Sequence, residues 1–235
     1  DFDDDPVESD VSAGPPHPVN WNLLTAHELE QEWLALNRWV DWLRHTYGLP
    51  AAVIPPAWYA HPELLWELSA LHLHWLSAYD PEQNGSAPLG WHRDFADARQ
   101  RLRDWVAASG TRLDRDRPTR QTTWPGEDPA GPVEDTIIAH RDQDFVQFVL
   151  DDVAARRQAE YQAGRELAAT LLAGLGARLA ALRALGVRRL SLLTPYVAET
   201  TAPMAELFAA EGFALDRVTC MGLADDRAMA RVDAA

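Results

Sequence analysis

Tryptophan and histidine run out partway along this chain. All ten tryptophans lie at or before Trp124 and all eight histidines at or before His140, after which alanine, leucine and arginine take over. A composition shift of this size divides the 235 residues into two parts of different origin, each with its own core. Whatever fold forms must therefore join an aromatic half to an aliphatic one.

The aliphatic half is organised around residues 185–197. An apolar run of strand length, entered from Gly186 and closed by Thr194 and Pro195, fits a parallel strand covered on both faces. A helix over 199–211, with Pro203 in its first turn, and a second strand over 213–221 complete a βαβ unit with parallel pairing and a right-handed crossover. Ahead of it, residues 164–185 read as a separate helix with Leu167, Leu171, Leu175, Leu179, Leu182 and Leu185 on one stripe. Ligands of open α/β sheets sit at the carboxyl ends of the strands. Thr194, Pro195 and Tyr196, with Asp226 in the polar loop after the second strand, are thus the candidate substrate-binding residues.

The aromatic half reads as about four helices. Thr25-Ala26-His27-Glu28 has the spacing of a capping box, and Leu29, Trp33, Leu36, Val40, Leu43 and Tyr47 then recur at threes and fours until Gly48. His61-Pro62 opens a second helix whose apolar face is Leu64, Leu65, Leu68, Leu71, Trp75, Leu76 and Tyr79. A third, over 91–108, turns Trp91, Phe95, Ala98, Leu102 and Trp105 inward, and a fourth starts near Arg141 and continues towards Tyr161 with Phe145, Phe148, Val149 and Val153. Between them, residues 122–132 are proline- and glycine-rich linker laid across the helices with Trp124 as its anchor. Residues 1–20 are acidic and proline-rich, a disordered tail by composition.

Charge and missing residue types narrow the chemistry. The net charge of −15 repels phosphate backbones and anionic lipid. The arginines between Arg99 and Arg120 are interleaved with Asp104, Asp114 and Asp116, a pattern of surface ion pairing. No lysine occurs, which excludes Schiff-base, pyridoxal-phosphate and P-loop lysines. Cys220 is the only cysteine and reads as a small buried core residue in the second strand, so no disulfide forms within the chain. The segment His27-Glu28-Leu29-Glu30-Gln31 misses the zinc-protease motif at its last position, and His72 and His74 fall on different sides of a helix, so no metal site is expected. No stretch reads as a signal peptide or a membrane span, which points to a cytoplasmic protein.

Two resemblances add to this reading. Residues of about 21–160 resemble a tryptophan-rich actinobacterial family of unknown function, found on plasmids, phages and integrative elements. The likeness rests on Ile54-Pro55-Pro56-Ala57-Trp58-Tyr59-Ala60-His61-Pro62, Leu68-Ser69-Ala70-Leu71-His72, Trp91-His92-Arg93-Asp94-Phe95-Ala96-Asp97-Ala98-Arg99 and Asp144-Phe145-Val146-Gln147-Phe148-Val149. Residues of about 165–232 resemble part of the aspartate/glutamate racemase superfamily, in its maleate isomerase and arylmalonate decarboxylase branch, through Leu185-Gly186-Val187-Arg188-Arg189, Leu193-Thr194-Pro195-Tyr196-Val197, Gly212-Phe213 and the stretch from Gly222 to Val232. The second resemblance implies a cofactor-independent enzyme whose tyrosine after Thr-Pro contacts a substrate carboxylate, the place of Tyr196. It also implies two active-site cysteines, and this chain matches neither. Asp226 stands where an asparagine is common, and a carboxylate there repels a dicarboxylate.

The expected fold is an α+β composite: a mainly α-helical N-terminal domain over 21–160, then a small parallel βαβ, partially Rossmann-like segment over 161–235. The expected function is that of a non-enzymatic accessory protein of a mobile element, binding a protein partner or a second copy of itself, with a degenerate α/β segment. The alternative is an isomerase, racemase or decarboxylase acting on small carboxylic acids. No catalytic residue, cofactor, metal, nucleic acid or membrane enters the first reading. The tryptophans Trp58, Trp66 and Trp91 discriminate by burial: together on the surface they form a binding patch, inside they are core.

Overall fold

A computed structural model describes residues 17–129 and 131–223, the side chains of residues 171–178 excepted. Most of the expected acidic tail lies outside these residues. The chain is an α+β composite, mainly helical, that divides into two compact units. The first is built from Ala35–Phe145, the second from Asn20–Leu34 and the chain from Val146 onward.

Helix α1, Ala26–Tyr47, supplies residues to both units. Its start is the anticipated capping box: the Thr25 N–H donates to Glu28 Oε2 at 2.8 Å, and the Glu28 N–H donates to Thr25 Oγ1 at 3.2 Å. The next free amide, Ala26 N–H, donates to Glu160 Oε1 at 2.9 Å, which places a carboxylate at the positive end of the helix. At the other end Gly48 takes φ +58°, the left-handed conformation that stops a helix without a Cβ penalty. Leu29, Trp33, Leu36, Val40 and Leu43 are all buried.

In the first unit a 3₁₀ turn, Trp58–Ala60, leads into α2, Pro62–Ala78, and α3, Ala87–Ser109, which pack together. Helix α3 begins four residues earlier than the apolar pattern suggests, because Pro88 fits a first turn whose N–H groups are unbonded anyway. Trp91, Phe95, Ala98 and Leu102 are core as expected, but the stripe continues at Val106, and Trp105 is exposed. The buried stripe runs on from Leu102 to Val106, and Trp105 falls beside it. Helix α2 departs likewise at its end, where Leu76 and Tyr79 are exposed and Trp75 is half-buried. A short antiparallel pair, β1 (Arg115–Asp116) and β2 (Thr136–Ile137), closes the unit, with Arg115 opposite Ile137. Of the interleaved acids only Asp114 pairs with an arginine among the described residues, Arg115 at 3.3 Å; Arg115 and Arg117 also reach Asp135, at 3.5 and 2.5 Å, whereas Asp116 is buried. Trp124 is 71% exposed and so is not the anchor expected of it.

The second unit contains most of α4, Arg141–Ala184, a single helix of 44 residues. The expected helices around 141–161 and 164–185 are one element, and Gly164 does not break it. An added Cβ at Gly164 would come within 2.4 Å of the Thr200 carbonyl oxygen, so the glycine is there for close approach, and packing offsets its helix penalty of about 1 kcal/mol. After α4 come β3 (Arg189–Tyr196), α5 (Ala198–Ala210) and β4 (Ala214–Leu223). The strands pair in parallel, Thr194 opposite Cys220 and Tyr196 opposite Leu223. The βαβ order is as anticipated, but the sheet is not covered on both faces. Thr194, Thr201, Met204 and Phe213 are buried, whereas Leu193 is 69% exposed and Cys220 is exposed rather than core. With only two strands and α5 as the one helix between them, alternate residues of β3 and β4 point away from any partner among the described residues.

Candidate functional site

The sequence places a small-molecule site at the carboxyl end of β3. There Thr194 is buried, and its hydroxyl is bonded to the Thr201 hydroxyl at 2.6 Å, a contact that ties α5 to the strand. Pro195 and Tyr196 are half-buried beside it. Asp226 lies outside the described residues. The turn thus brings Thr194, Pro195 and Tyr196 together at one strand end, with Thr194 facing the helix.

A second constellation went unread in the sequence. His61, at the start of α2, has no exposed surface, and both of its ring nitrogens face oxygen acceptors. Nε2 is 2.7 Å from Asp116 Oδ1, and Nδ1 is 3.2 Å from Thr119 Oγ1, whose own hydroxyl donates to Glu63. Both ring nitrogens are thus engaged, one by Asp116 and the other, through Thr119, next to Glu63. Asp116 accepts a further bond from the Thr111 hydroxyl at 2.8 Å. Burial pushes the Asp116 carboxyl up, but the bonds from His61 and Thr111 and the charge of His61 outweigh it and hold it below its ordinary value. The cluster clamps the segment 111–119 onto the start of α2. His61, Asp116 and Thr111 are buried, whereas Thr119 and Glu63 are partly exposed at its edge. The partners of His61 lie 55 and 58 residues downstream, beyond any local spacing a sequence pattern can carry.

The accessible chemistry of the first unit is aromatic. Trp58 and Trp91 are core and only Trp66 of that trio is at the surface, so the three form no patch. A different row does. Trp39 and Trp42, three apart on α1, meet His72, Trp75 and Tyr79, spaced three and four apart on α2, so each set lies on one helix face. Trp39 stacks on His72 with ring centres 4.9 Å apart and planes at 29°. Trp42 and Trp75 are 5.1 Å apart, and Trp75 and Tyr79 5.4 Å. Trp42 and Tyr79 are 40% and 47% exposed, whereas Trp39 is buried, with its Nε1–H unpartnered among the described residues. The outcome is a surface of exposed ring faces on a buried aromatic base. Sequence periodicity assigned Trp75 and Tyr79 to the core; the missing signal was that among the described residues no element buries the end of α2.

His72 makes this base sensitive to pH. Burial against Trp39 lowers its pKa from 6.5 to about 4, so the folded chain carries it neutral. Because the unfolded chain takes up that proton first, the contribution is fully present above pH 6.5 and is lost as pH falls towards 4. Discounted for its partial exposure, the loss at pH 5 relative to pH 7.5 is about 1 kcal/mol. Urea midpoints measured at both pH values are expected to differ by this amount more in the wild type than in His72→Phe, which keeps the stack and cannot titrate. Equal differences in the two proteins would show that His72 titrates as it does in water.

No helix among the described residues is long and apolar enough to cross a membrane, and no group of three or more metal-ligating side chains converges. No protein-family model, no curated protein and no solved structure matches the chain.

Proposed function

We propose that this chain is a non-enzymatic accessory protein that binds a protein partner through the aromatic surface of Trp42, Trp75 and Tyr79. The observation that carries the reading is the exposure of these rings on a base of buried Trp39 and half-buried His72. Rings held by neighbouring rings lose little freedom on contact, which is what makes Trp and Tyr anchors at interfaces. The partner segment it fits bears arginine or lysine among apolar residues. Ring faces attract cations, and a chain of net charge −15 steers basic segments towards itself. The membership of a mobile-element family and the degeneracy of the α/β segment belong to the same proposal.

A peptide-display selection on the purified chain tests it. Selected peptides are expected to be rich in basic and aromatic residues, and the double variant Trp42→Ala, Tyr79→Ala, altered only at exposed positions, is expected to bind them at least tenfold more weakly, as truncation of two anchors implies. Equal affinity of the variant and the wild type would remove the surface from consideration.

A further inference from the structure

A cavity of about 900 Å³ opens in the first unit between the second half of α1 and the proline-stiffened segment that follows it. Its apolar wall includes Val40, Leu49, Ile54 and Leu113, and fully buried Trp58 lies at its base. Cavities of this size hold small organic molecules. Its charged lining sets Arg38, Arg44 and Arg141 against Asp41 and Asp142.

Arg141 is fixed in place before any ligand arrives. Its guanidinium lies 5.2 Å from the Phe145 ring centre and 6.0 Å from that of Tyr59, donates from Nη1 to Asp142 at 3.0 Å, and donates from Nη2 to Asn37. A group held on four sides loses no freedom when it binds an anion. Arg44 is the complement. It reaches Asp41 at 3.0 Å and the His45 ring through Nη2 alone, so its Nε–H and Nη1–H groups have no partner among the described residues. His45 is itself occupied, Nδ1 lying 2.8 Å from the Asp41 carbonyl oxygen.

We infer that this cavity binds a small organic anion, a carboxylate or phosphate on a flat apolar body, with the acid group at the arginines and the body against Leu113 and Ile54. Guanidinium donors pair with either head in the same planar fork. The partner proposed above uses the aromatic surface, and this site stands independently of it.

Calorimetric titration with 1-naphthoate and 1-naphthyl phosphate tests the assignment, with 1-naphthylmethylamine as a cation of the same body. Binding of either anion and none of the amine is expected, and the tighter of the two anions identifies the preferred head group. Arg44→Met, at a half-exposed position, is expected to weaken that anion about tenfold, the loss of one charge-assisted contact. Leu113→Trp, at a position 73% exposed and so harmless to folding, is expected to weaken binding by placing a larger ring at the rim of the cavity. Circular dichroism confirms that both variants fold. Equal binding of the amine, no binding of either anion, or anion binding unaffected by Leu113→Trp would each overturn the proposal.

Discussion

Replacing His61 by alanine is expected to destabilise the chain by about 3 to 5 kcal/mol, the effect of stranding a buried carboxylate. Among the described residues the imidazole alone bonds both Asp116, at 2.7 Å, and Thr119, at 3.2 Å, and it has no exposed surface. Without it Asp116 keeps the Thr111 hydroxyl but loses the hydrogen bond from the ring that opposes the effect of its burial. Its carboxyl then rises from below the usual range. In the wild type the stabilisation from Asp116 is complete above an unfolded-state value near 3.8 and is lost only as pH falls below it. In the variant, burial leaves the carboxylate destabilising while ionised, so the deficit relative to the wild type is largest at pH 7 and shrinks as pH falls towards 4.5 and the carboxyl takes up a proton. Asp116→Asn, which keeps an acceptor without the charge, is expected to lose less than His61→Ala. Urea unfolding followed by circular dichroism at pH 7 and pH 4.5 measures both effects. A loss under about 1 kcal/mol for His61→Ala would mean that water replaces the ring and that the cluster is not closed.

Trp33→Ala is the change expected to affect the second unit most, by about 3 to 5 kcal/mol, as for other buried aromatic truncations. Trp33 is 2% exposed, with its ring 4.6 Å from Trp21 and 5.3 Å from Phe148, the latter edge-on at 89°. Its indole N–H also donates to Asp152 at 2.8 Å, so alanine leaves both a void and a carboxylate short of a donor. Trp33→Phe separates the two contributions. It restores much of the ring volume but not the hydrogen bond, and is expected to lose about 1 to 2 kcal/mol. Differential scanning calorimetry of the two variants checks the ordering, and equal losses would assign the whole effect to the Asp152 contact.

These two positions differ in how far the sequence announces them. Trp33 lies on a stripe of threes and fours between a capping box and a terminating glycine, and all three signals are local. Each works through neighbours within one or two turns, which is why α1 begins and ends where the sequence indicates. His61 carries no such signal. It stands before a proline at a helix start, and what makes it central is supplied by Asp116 and Thr119 on a segment brought back by the β1–β2 pair. The arginines of the cavity are similar: Arg44 belongs to the visible polar face of α1, but its conjunction with Arg141 and Trp58 depends on the return of the chain.

Exposure misled the sequence reading in both units for a related reason. A run such as Leu190 to Leu193 or a face ending in Trp75 and Tyr79 is apolar whether or not anything covers it. Burial then depends on the neighbouring element. Leu193 has no second layer of sheet or helix over it among the described residues, and Tyr79 projects from the cap that ends α2.

The sequence by itself determined the helical character, the starts and stops of α1 and α2, and the order strand, helix, strand with parallel pairing, because caps, prolines, glycines and periodicity act over a few residues. Only the tertiary structure decided that α4 runs unbroken through Gly164, that Cys220 and Leu193 lie at the surface, and that His61 bonds Asp116 and Thr119. Each of these depends on contact between residues far apart in the chain: close packing outweighs the preference of a single glycine, and a charge can be buried only where its hydrogen-bond partners arrive.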